Sequence, residues 1–447
     1  MSGGAQAFLM LDLMPLSAAV LAALGCGLLG NFLVLRRQSL LGDAISHSVL
    51  PGIVVAFLVT GSRSPAVMLP GAAGAGLLSV LLTDLVRRIG RVEPGAAMGV
   101  VFSLFFAAGV YLMQQAARNV DLDADCVLYG QLETLFWTRP SGAGLLSAAT
   151  LASVPRQVTT LVIVAACAVG FIALLYKELR LTSFDPDLAT SLGFRAGWVG
   201  AMLLALVAAA TVASFEAVGS ILVVAMLICP AATARLLTDR MDRQLVLSGL
   251  IAGATAAAGY FAGTRLPGAL GLPGAVNAAG AIAVVAGLAF ALAAVASPSH
   301  GIVARALRRQ ALSRRIAVED LLGALYRRAE AGPGAAPLAA RLLRAAPLAR
   351  RLGLVAGAPA QTPSLTEKGE TAARAIVRRH RLWEAYLVER AGMLPDHVHE
   401  PAEALEHVLD AESPGLGLDP LPVVDPQGKR IPGDGGAPPG QARSKPS

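Results

Sequence analysis

The sequence predicts an all-α protein: a polytopic transmembrane helical bundle of eight or nine spans, followed by a helical cytosolic domain. Three observations predict it. The 447 residues are 55% hydrophobic and 15% charged, with a mean hydropathy of +0.61, where a soluble domain carries about 25% charged residues. Apolar runs recur through the first 300 residues, each near the length of about 20 residues that crosses a hydrocarbon core. The charge is uneven as well. Residues 1–300 hold 16 Lys+Arg against 14 Asp+Glu, and residues 301–447 hold 21 against 16, so the last third is a polar appendage.

The apolar runs lie near residues 14–35, 44–61, 66–86, 95–113, 158–176, 196–214, 217–236, 244–263 and 272–297. Arg36 and Arg37, then Arg87, Arg88 and Arg91, then Lys177, Arg180 and Arg195, then Arg235, Arg240 and Arg243 fall in alternate loops, which the positive-inside rule places in the cytosol. The longest remaining loop, 114–157, carries Asp121, Asp123 and Asp125. Nine spans put the N-terminus outside and everything after Ser297 inside. The N-terminus lacks the basic flank and small-residue cleavage site of a secretory signal, so its apolar stretch is expected to stay as an anchor. Cys26, Cys126, Cys167 and Cys229 include no CxxC pair, which argues against a disulfide framework or a thiolate metal site. The four lysines, Lys177, Lys368, Lys429 and Lys445, never complete Gly-x-x-x-x-Gly-Lys-Ser/Thr, so any ATP hydrolysis must be on another chain.

Ionisable groups in hydrocarbon are costly and usually functional. Asp43 and His47 stand at i and i+4 in Gly42-Asp-Ala-Ile-Ser-His-Ser-Val-Leu-Pro-Gly52, on one helix face, where a carboxylate and an imidazole can share a divalent cation. The same spacing also allows a plain helix cap at Asp43 and a hydrogen-bonded core histidine at His47. Glu216 falls between two runs and reads as a solvated turn residue on the outer side.

The cytosolic stretch 177–197 carries helix punctuation: Asp185 as N-cap, Pro186 at the first helical position and Gly193 as terminator. Phe184, Leu188 and Leu192 recur at spacing four, so this two-turn helix shows an apolar side that either meets a partner or lies on the membrane surface.

Residues 14–297 resemble the permease family of ABC importers for manganese, zinc and iron. The stretch 42–52 is the most specific match, supported by Asp125-Cys-Val-Leu-Tyr-Gly-Gln-Leu-Glu133, the loop 185–193, and Gly219-Ser-Ile-Leu-Val-Val-Ala-Met-Leu-Ile-Cys-Pro-Ala-Ala-Thr-Ala234. The resemblance implies that Asp43 and His47 line the metal path and that Phe184, Asp185, Leu188, Leu192 and Gly193 belong to a helix that docks into the ATPase subunit. It also implies an extracytoplasmic metal-binding protein, a second permease copy or paralogue, and a multi-pass place in the bacterial plasma membrane.

The tail resembles the metal-dependent repressors of the diphtheria toxin repressor and manganese repressor type. Leu365-Thr-Glu-Lys-Gly-Glu-Thr-Ala372, Arg379-His-Arg-Leu-Trp-Glu-Ala-Tyr-Leu387, Val398-His-Glu-Pro-Ala-Glu-Ala-Leu-Glu-His407 and Asp425-Pro-Gln-Gly-Lys-Arg-Ile-Pro432 follow in that family's order. The match implies metal ligands at His380, Glu384, His399, Glu403, Glu406 and His407. Their spacing agrees, since His380 and Glu384 are i and i+4, and Glu403, Glu406 and His407 are i, i+3 and i+4. A carboxylate at Glu403, where the iron type carries Cys, leans the reading to manganese, with zinc or ferrous iron as alternatives. Pro401 suggests that the helix begins there, with His399 on the preceding turn. Val318 to Tyr326 resembles that family's first helix, with Asp320 at a ligand position and Gly323 where the manganese type has a second carboxylate.

The resulting plan is a permease domain over 1–300, a linker and degenerate winged-helix-like region over 301–364, a metal-binding and dimerisation domain over 365–432, and a disordered tail over 433–447. A secondary metal transporter and a membrane-tethered transcriptional regulator are the alternatives. The first would need more intramembrane carboxylates; the second would not need nine spans or a docking helix. DNA binding is disfavoured because the DNA-reading region is short and its recognition helix cannot be placed.

Overall fold

A computed structural model of the chain describes residues 8–38, 40–62, 65–116, 132–137, 153–271, 276–358, 361–407 and 422–433. The acidic stretch 121–125, most of the 125–133 match and the tail 434–447 lie outside the described residues. The chain divides into two compact units, Met1–Ala304 and Arg305–Ser447.

The first unit is helical throughout its described residues. Its elements are α1 (Leu13–Leu35), α2 (Leu41–Thr60), α3 (Pro65–Gly90), α4 (Pro94–Ala116), α5 (Arg156–Leu174), α6 (Tyr176–Phe184), α7 (Pro186–Ser191), α8 (Ala196–Leu237), α9 (Met241–Ala269) and α10 (Ala278–Ala296). Among the described residues, seven helices are long and apolar enough to cross a membrane: α1, α2, α4, α5, α8, α9 and α10. Seven stands against the eight or nine expected, and the difference centres on α3 and α8. The runs 196–214 and 217–236 are not separate helices but the two parts of α8, which at 42 residues is about 63 Å of helix, roughly twice a hydrocarbon core.

α8 turns at Gly219, whose φ of 77° and ψ of 163° are non-helical and open only to glycine without strain. Both of its ends lie at one end of the bundle. Arg36, closing α1, donates to Ser183 Oγ (3.1 Å) and Thr182 Oγ1 (3.0 Å) and lies against Gly200. Asn31, on the last turns of α1, meets Ser248 (2.6 Å) and Gln244 (3.0 Å) at the start of α9, directly after Leu237. Ser297 and Ser299 both donate to Leu236 O. At the opposite end Asp12 accepts from Tyr260 (3.0 Å) and Arg265 (2.7 Å) of α9. Glu216 therefore sits three residues before a reversal, inside α8 and only half-exposed, and not in a solvated turn.

The core of this unit is made by α1 against α8, with Leu29, Phe32, Leu33, Leu203, Leu222, Met226 and Leu227 fully buried. Small residues permit the approach: a Cβ on Gly30 would collide with the Leu227 carbonyl, and Gly52 of α2 and Gly71 of α3 each lie against the other's backbone. Such contacts drive helix association where no water is available to be released.

The second unit begins within α11 (Ile302–Ala331) and continues through α12 (Ala340–Leu343), α13 (Ala346–Arg351), the hairpin of β1 (Val355–Ala356) and β2 (Ser364–Leu365), α14 (Glu367–Glu389) and α15 (His399–Glu406). Three helices, a two-stranded antiparallel hairpin and a long helix thus follow one another before α15. One core joins Val318, Leu321, Leu322 and Leu325 of α11 to Ala349, Val355, Ile376 and Val377. A second joins Leu382, Trp383 and Leu387 of α14 to Val398, Ala402 and Ile431. Thr366 caps α14 by accepting from Gly369 N at 3.0 Å.

Candidate functional site

In α2, Asp43 lies in the first turn and His47 one turn on. His47 Nε2 is 3.6 Å from Asp43 Oδ1, with the two side chains 42% and 50% exposed within the single chain. The imidazole is framed by two rings of α4: Phe106 edge-on at 5.5 Å and Phe102 tilted at 5.8 Å. The pair is thus on one face and open, with the imidazole framed by the two rings.

The loop helix α7 is built as its residues dictate. Asp185 Oδ1 accepts from Leu188 N at 2.9 Å with Pro186 in the first turn, and Gly193 closes the helix at φ 86°. Phe184, Leu188 and Leu192 are 56%, 46% and 61% exposed, so an apolar row stands out from the loop in the single chain.

The richest cluster of donors lies in the second unit, where α14 and α15 cross. His380 Nε2 is 3.1 Å from Glu384 Oε1 and 2.9 Å from His399 Nδ1, and His399 Nδ1 is 2.9 Å from the same carboxylate oxygen. A second group contains Asp320, Glu406 and His407, and in each group the ligand atoms lie within 4.8 Å of one another. Glu406 joins the groups: Oε2 is 2.7 Å from His380 Nδ1, and Oε1 is 3.4 Å from His407 Nε2. His407 Nε2 is also 3.0 Å from Asp320 Oδ1. Although two carboxylates flank it, this buried nitrogen makes no hydrogen bond among the described residues. A nitrogen surrounded by carboxylates yet not bonded to them fits a cation between them, and the all-oxygen-and-nitrogen donor set suits manganese, ferrous iron or zinc.

The electrostatics follow from these contacts. Burial alone would depress His380, but its hydrogen bonds to Glu384 and Glu406 outweigh that and push its pKa up to about 9. Burial would likewise raise Glu384, yet the bonds from His380 and His399 hold it below the usual carboxylate range. Asp320 is raised, first by burial and then against His407 by the nearby charges of Glu403 and Glu406.

Seven expected positions divide unevenly. His380, Glu384 and His399 come together, and Glu406 and His407 come together with Asp320. Glu403 belongs to neither group and reaches the cluster only through its charge on Asp320. His399 is the first residue of α15 and not part of a preceding turn; Pro401 sits third, where its missing N–H is among the donors a helix start leaves unpaired in any case. Glu319 was not foreseen. Its Oε2 is 2.7 Å from His407 Nδ1 while Oε1 accepts from Arg315 at 2.7 Å, which orients the imidazole as partners behind ligands do. Arg381, buried beside His380, bonds Glu330 (2.6 Å) and lies 3.4 Å from Asp425, tying α11 and the 422–433 segment to α14.

With this geometry in place the comparisons with known proteins become decisive. The profile of the ABC 3 transport family matches residues 10–138 and 149–297. The chain belongs to the ABC 3 transport family. It is 41% identical over 293 residues to the manganese transport system membrane protein MntD of Bacillus subtilis, covering 66% of this chain and 94% of that one. It is 39% identical over 294 residues to the zinc transport system membrane protein TroD of Treponema pallidum, covering 66% and 76%. The solved structure of PsaBC from Streptococcus pneumoniae in complex with Fab matches with a TM-score of 0.52 at 27% identity, over 66% of this chain and 94% of that one. Residues 366–413 match the iron dependent repressor, metal binding and dimerisation domain. The protein is therefore a multi-pass ABC importer permease, not the ATPase, and it carries a repressor-type metal-binding domain behind its membrane part.

Proposed function

We propose that this permease imports a divalent transition metal, manganese first and zinc or iron next, and that its cytosolic domain restrains import once metal has accumulated. The observation that carries the reading is one chain holding both an ABC 3 permease and a His/carboxylate cluster whose members His380, Glu384 and Glu406 are buried. The names of the relatives, a manganese and a zinc transport protein, support the cargo. Asp43 and His47 offer the passing ion two donors, and the apolar row of α7 offers the separate ATPase subunit a docking surface. An extracytoplasmic binding protein and a second permease copy, the same or a paralogue, complete the complex in a bacterial plasma membrane. If the two parts of α8 pass out and back through the bilayer and α3 also crosses, nine passes result, with the cluster delivered to the cytosol.

In the second unit, His380, Glu384, His399, Glu406, His407 and Asp320 would hold the regulatory ion, with Glu406 shared between the two groups. Bound there, the ion supplies positive charge that draws α11, α14 and α15 together. A bound ion shifts the permease only if one transport state holds it more tightly than the other. Restraint is favoured over transcriptional control by the composition of α13. A recognition helix reads bases from its N-terminal residues, and here these are Ala346, Pro347, Leu348 and Ala349, with Ala346 and Ala349 buried. None offers a side-chain hydrogen bond to a base edge.

The test follows uptake into cells preloaded with manganese. The intact complex should slow as internal metal rises, whereas truncation after about residue 310, or Glu406→Ala with His407→Ala, should leave uptake active and unrestrained. Unchanged restraint in both variants, or tight sequence-specific DNA binding by the purified full chain, would overturn the regulatory reading.

A further inference from the structure

Arg36 and Arg37 stand side by side at the end of α1, and the positive-inside rule reads both as marks of the cytosolic face. The structure separates them. Arg37 is exposed, at a φ of 57°, whereas Arg36 is half-buried and spans two elements. One edge of its guanidinium donates twice, Nε to Ser183 Oγ at 3.1 Å and Nη2 to Thr182 Oγ1 at 3.0 Å. Both acceptors are buried and belong to the last turn of α6. A planar fork bonded at two points fixes the orientation of its partner as well as the distance. On the α6 side, a single residue joins two helices: Asp185 N donates to Leu181 O at 2.9 Å to close α6, and Asp185 O accepts from Ala189 N at 3.1 Å to open α7. The exposed row of Phe184, Leu188 and Leu192 starts at the residue after Ser183. On the α1 side, five residues lead to α2. They are tied back by Arg36 N to Phe32 O at 3.0 Å, Gln38 N to Leu33 O at 2.9 Å and Leu41 N to Gln38 O at 3.1 Å. Leu41 and Ile45 are buried at the start of α2, on the same turns as Asp43 and His47.

We infer that Arg36 is a positioning residue for transport: its two-point bond to Thr182 and Ser183 carries movement of the α6–α7 loop to the α1–α2 turn, and so to the helix that holds Asp43 and His47. The inference rests on the reading of α7 as the surface that docks the ATPase subunit. Apolar contacts between helices are non-directional and let one helix slide on another, whereas a hydrogen-bonded fork cannot turn without losing its bonds. The contact joins short, internally bonded segments on both sides, so little of a displacement at Asp185 is absorbed before it reaches Arg36. Charge alone does not supply this. A lysine at position 36 would keep the positive charge but present a compact ammonium without the fork, and Arg37 has the same charge one residue away.

The experiment uses the full chain assembled with its ATPase subunit and binding protein in proteoliposomes, with manganese uptake and ATP hydrolysis read on the same vesicles and assembly checked by co-purification. Zinc replaces manganese if the parent complex moves only zinc. In Arg36→Gln the assembled complex should go on hydrolysing ATP while metal moved per ATP falls about tenfold, the scale of one hydrogen bond to a charged group. Thr182→Val with Ser183→Ala, which removes the acceptors from the other side, should fall by a similar factor. The two changes together should fall no further, because they break one contact. Arg36→Lys should stay low, and Thr182→Ser, which keeps the hydroxyl, and Arg37→Gln should match the parent. Unchanged metal per ATP in Arg36→Gln, losses from the two sides that multiply, or full recovery in Arg36→Lys would each overturn the inference. Should Arg36→Gln fail to assemble, the hydroxyl variant decides, and unchanged metal per ATP there overturns it equally. Leu188→Asp tests the reading beneath: it should abolish the coupling of hydrolysis to uptake. If Leu188→Asp behaves as the parent, the docking reading falls and takes the inference with it; if it uncouples while Arg36→Gln does not, the inference alone is lost.

Discussion

The two sets of candidate metal ligands are built on opposite plans. In the membrane unit Asp43 and His47 are 3.6 Å apart and about half exposed, and the imidazole is framed by the rings of Phe102 and Phe106. In the second unit the side chains of His380, Glu384, Glu406 and His407 are 3 to 5% exposed and linked by contacts of 2.7 to 3.4 Å. The difference is the one expected between passage and retention. A conducting site must be favourable enough to enter and weak enough to leave, which two open donors satisfy. A sensing site must hold its ion long enough to bias a conformational equilibrium, which asks for several donors already oriented by partners.

The sharpest way to break this comparison is to remove a donor from the sparse site. With Asp43 and His47 as its two donors among the described residues, the site should fail in Asp43→Ala or His47→Ala, with uptake reduced to background, a loss of at least about 100-fold on the scale of one lost charged or imidazole contact in a low-dielectric path. Assembly with the ATPase subunit, followed by co-purification, should be unchanged. Either variant transporting normally would remove the pair from the path.

In the crowded site the loss of one donor should be graded and should depend on geometry. Glu406 contacts both groups, so Glu406→Ala should weaken manganese binding to the purified full chain by 10- to 100-fold, the range seen when ligand shells are disturbed. Glu403→Ala removes only a nearby charge and should cost less than about fivefold, roughly one kilocalorie per mole of screened electrostatics. Calorimetric titration separates them. Equal losses would mean that Glu403 enters the shell when metal binds, and the two groups would then have to be redrawn as one.

How much of this could be read from the chain depends on the range of the interactions involved. The helices were legible where apolar runs are long, and α7 was legible to the residue because Asp185, Pro186 and Gly193 act within one or two turns. The i, i+4 pairs, Asp43 with His47 and His380 with Glu384, were legible for the same reason. Glu319 was not, because its partner His407 is 88 residues away and adjacent Asp320 already satisfied the expected position. α8 divided the two kinds of information: the sequence marks a break between 214 and 217, but the turn lies at Gly219, where the backbone and not the hydropathy changes. Glu403 shows the other side of this: it has the right spacing, yet its carboxylate stands outside both groups of donors.

The smallest expected effect concerns what seats His47. In the second unit histidines are held by carboxylates, as Glu319 holds His407; in the membrane unit the framing groups are Phe102 and Phe106. An edge-on aromatic contact is worth on the order of 1 kcal/mol, enough to bias one rotamer of an exposed side chain but not to lock it. Phe106→Leu keeps the apolar volume and removes the ring edge, so it should lower uptake about threefold with little change in assembly, and Phe106→Tyr should stay near the original rate. A fall as deep as that of His47→Ala would show that Phe106 shapes the path itself. No fall at all would show that the imidazole needs no seat, and the looseness of this site would then extend to its orientation as well as to its ligands.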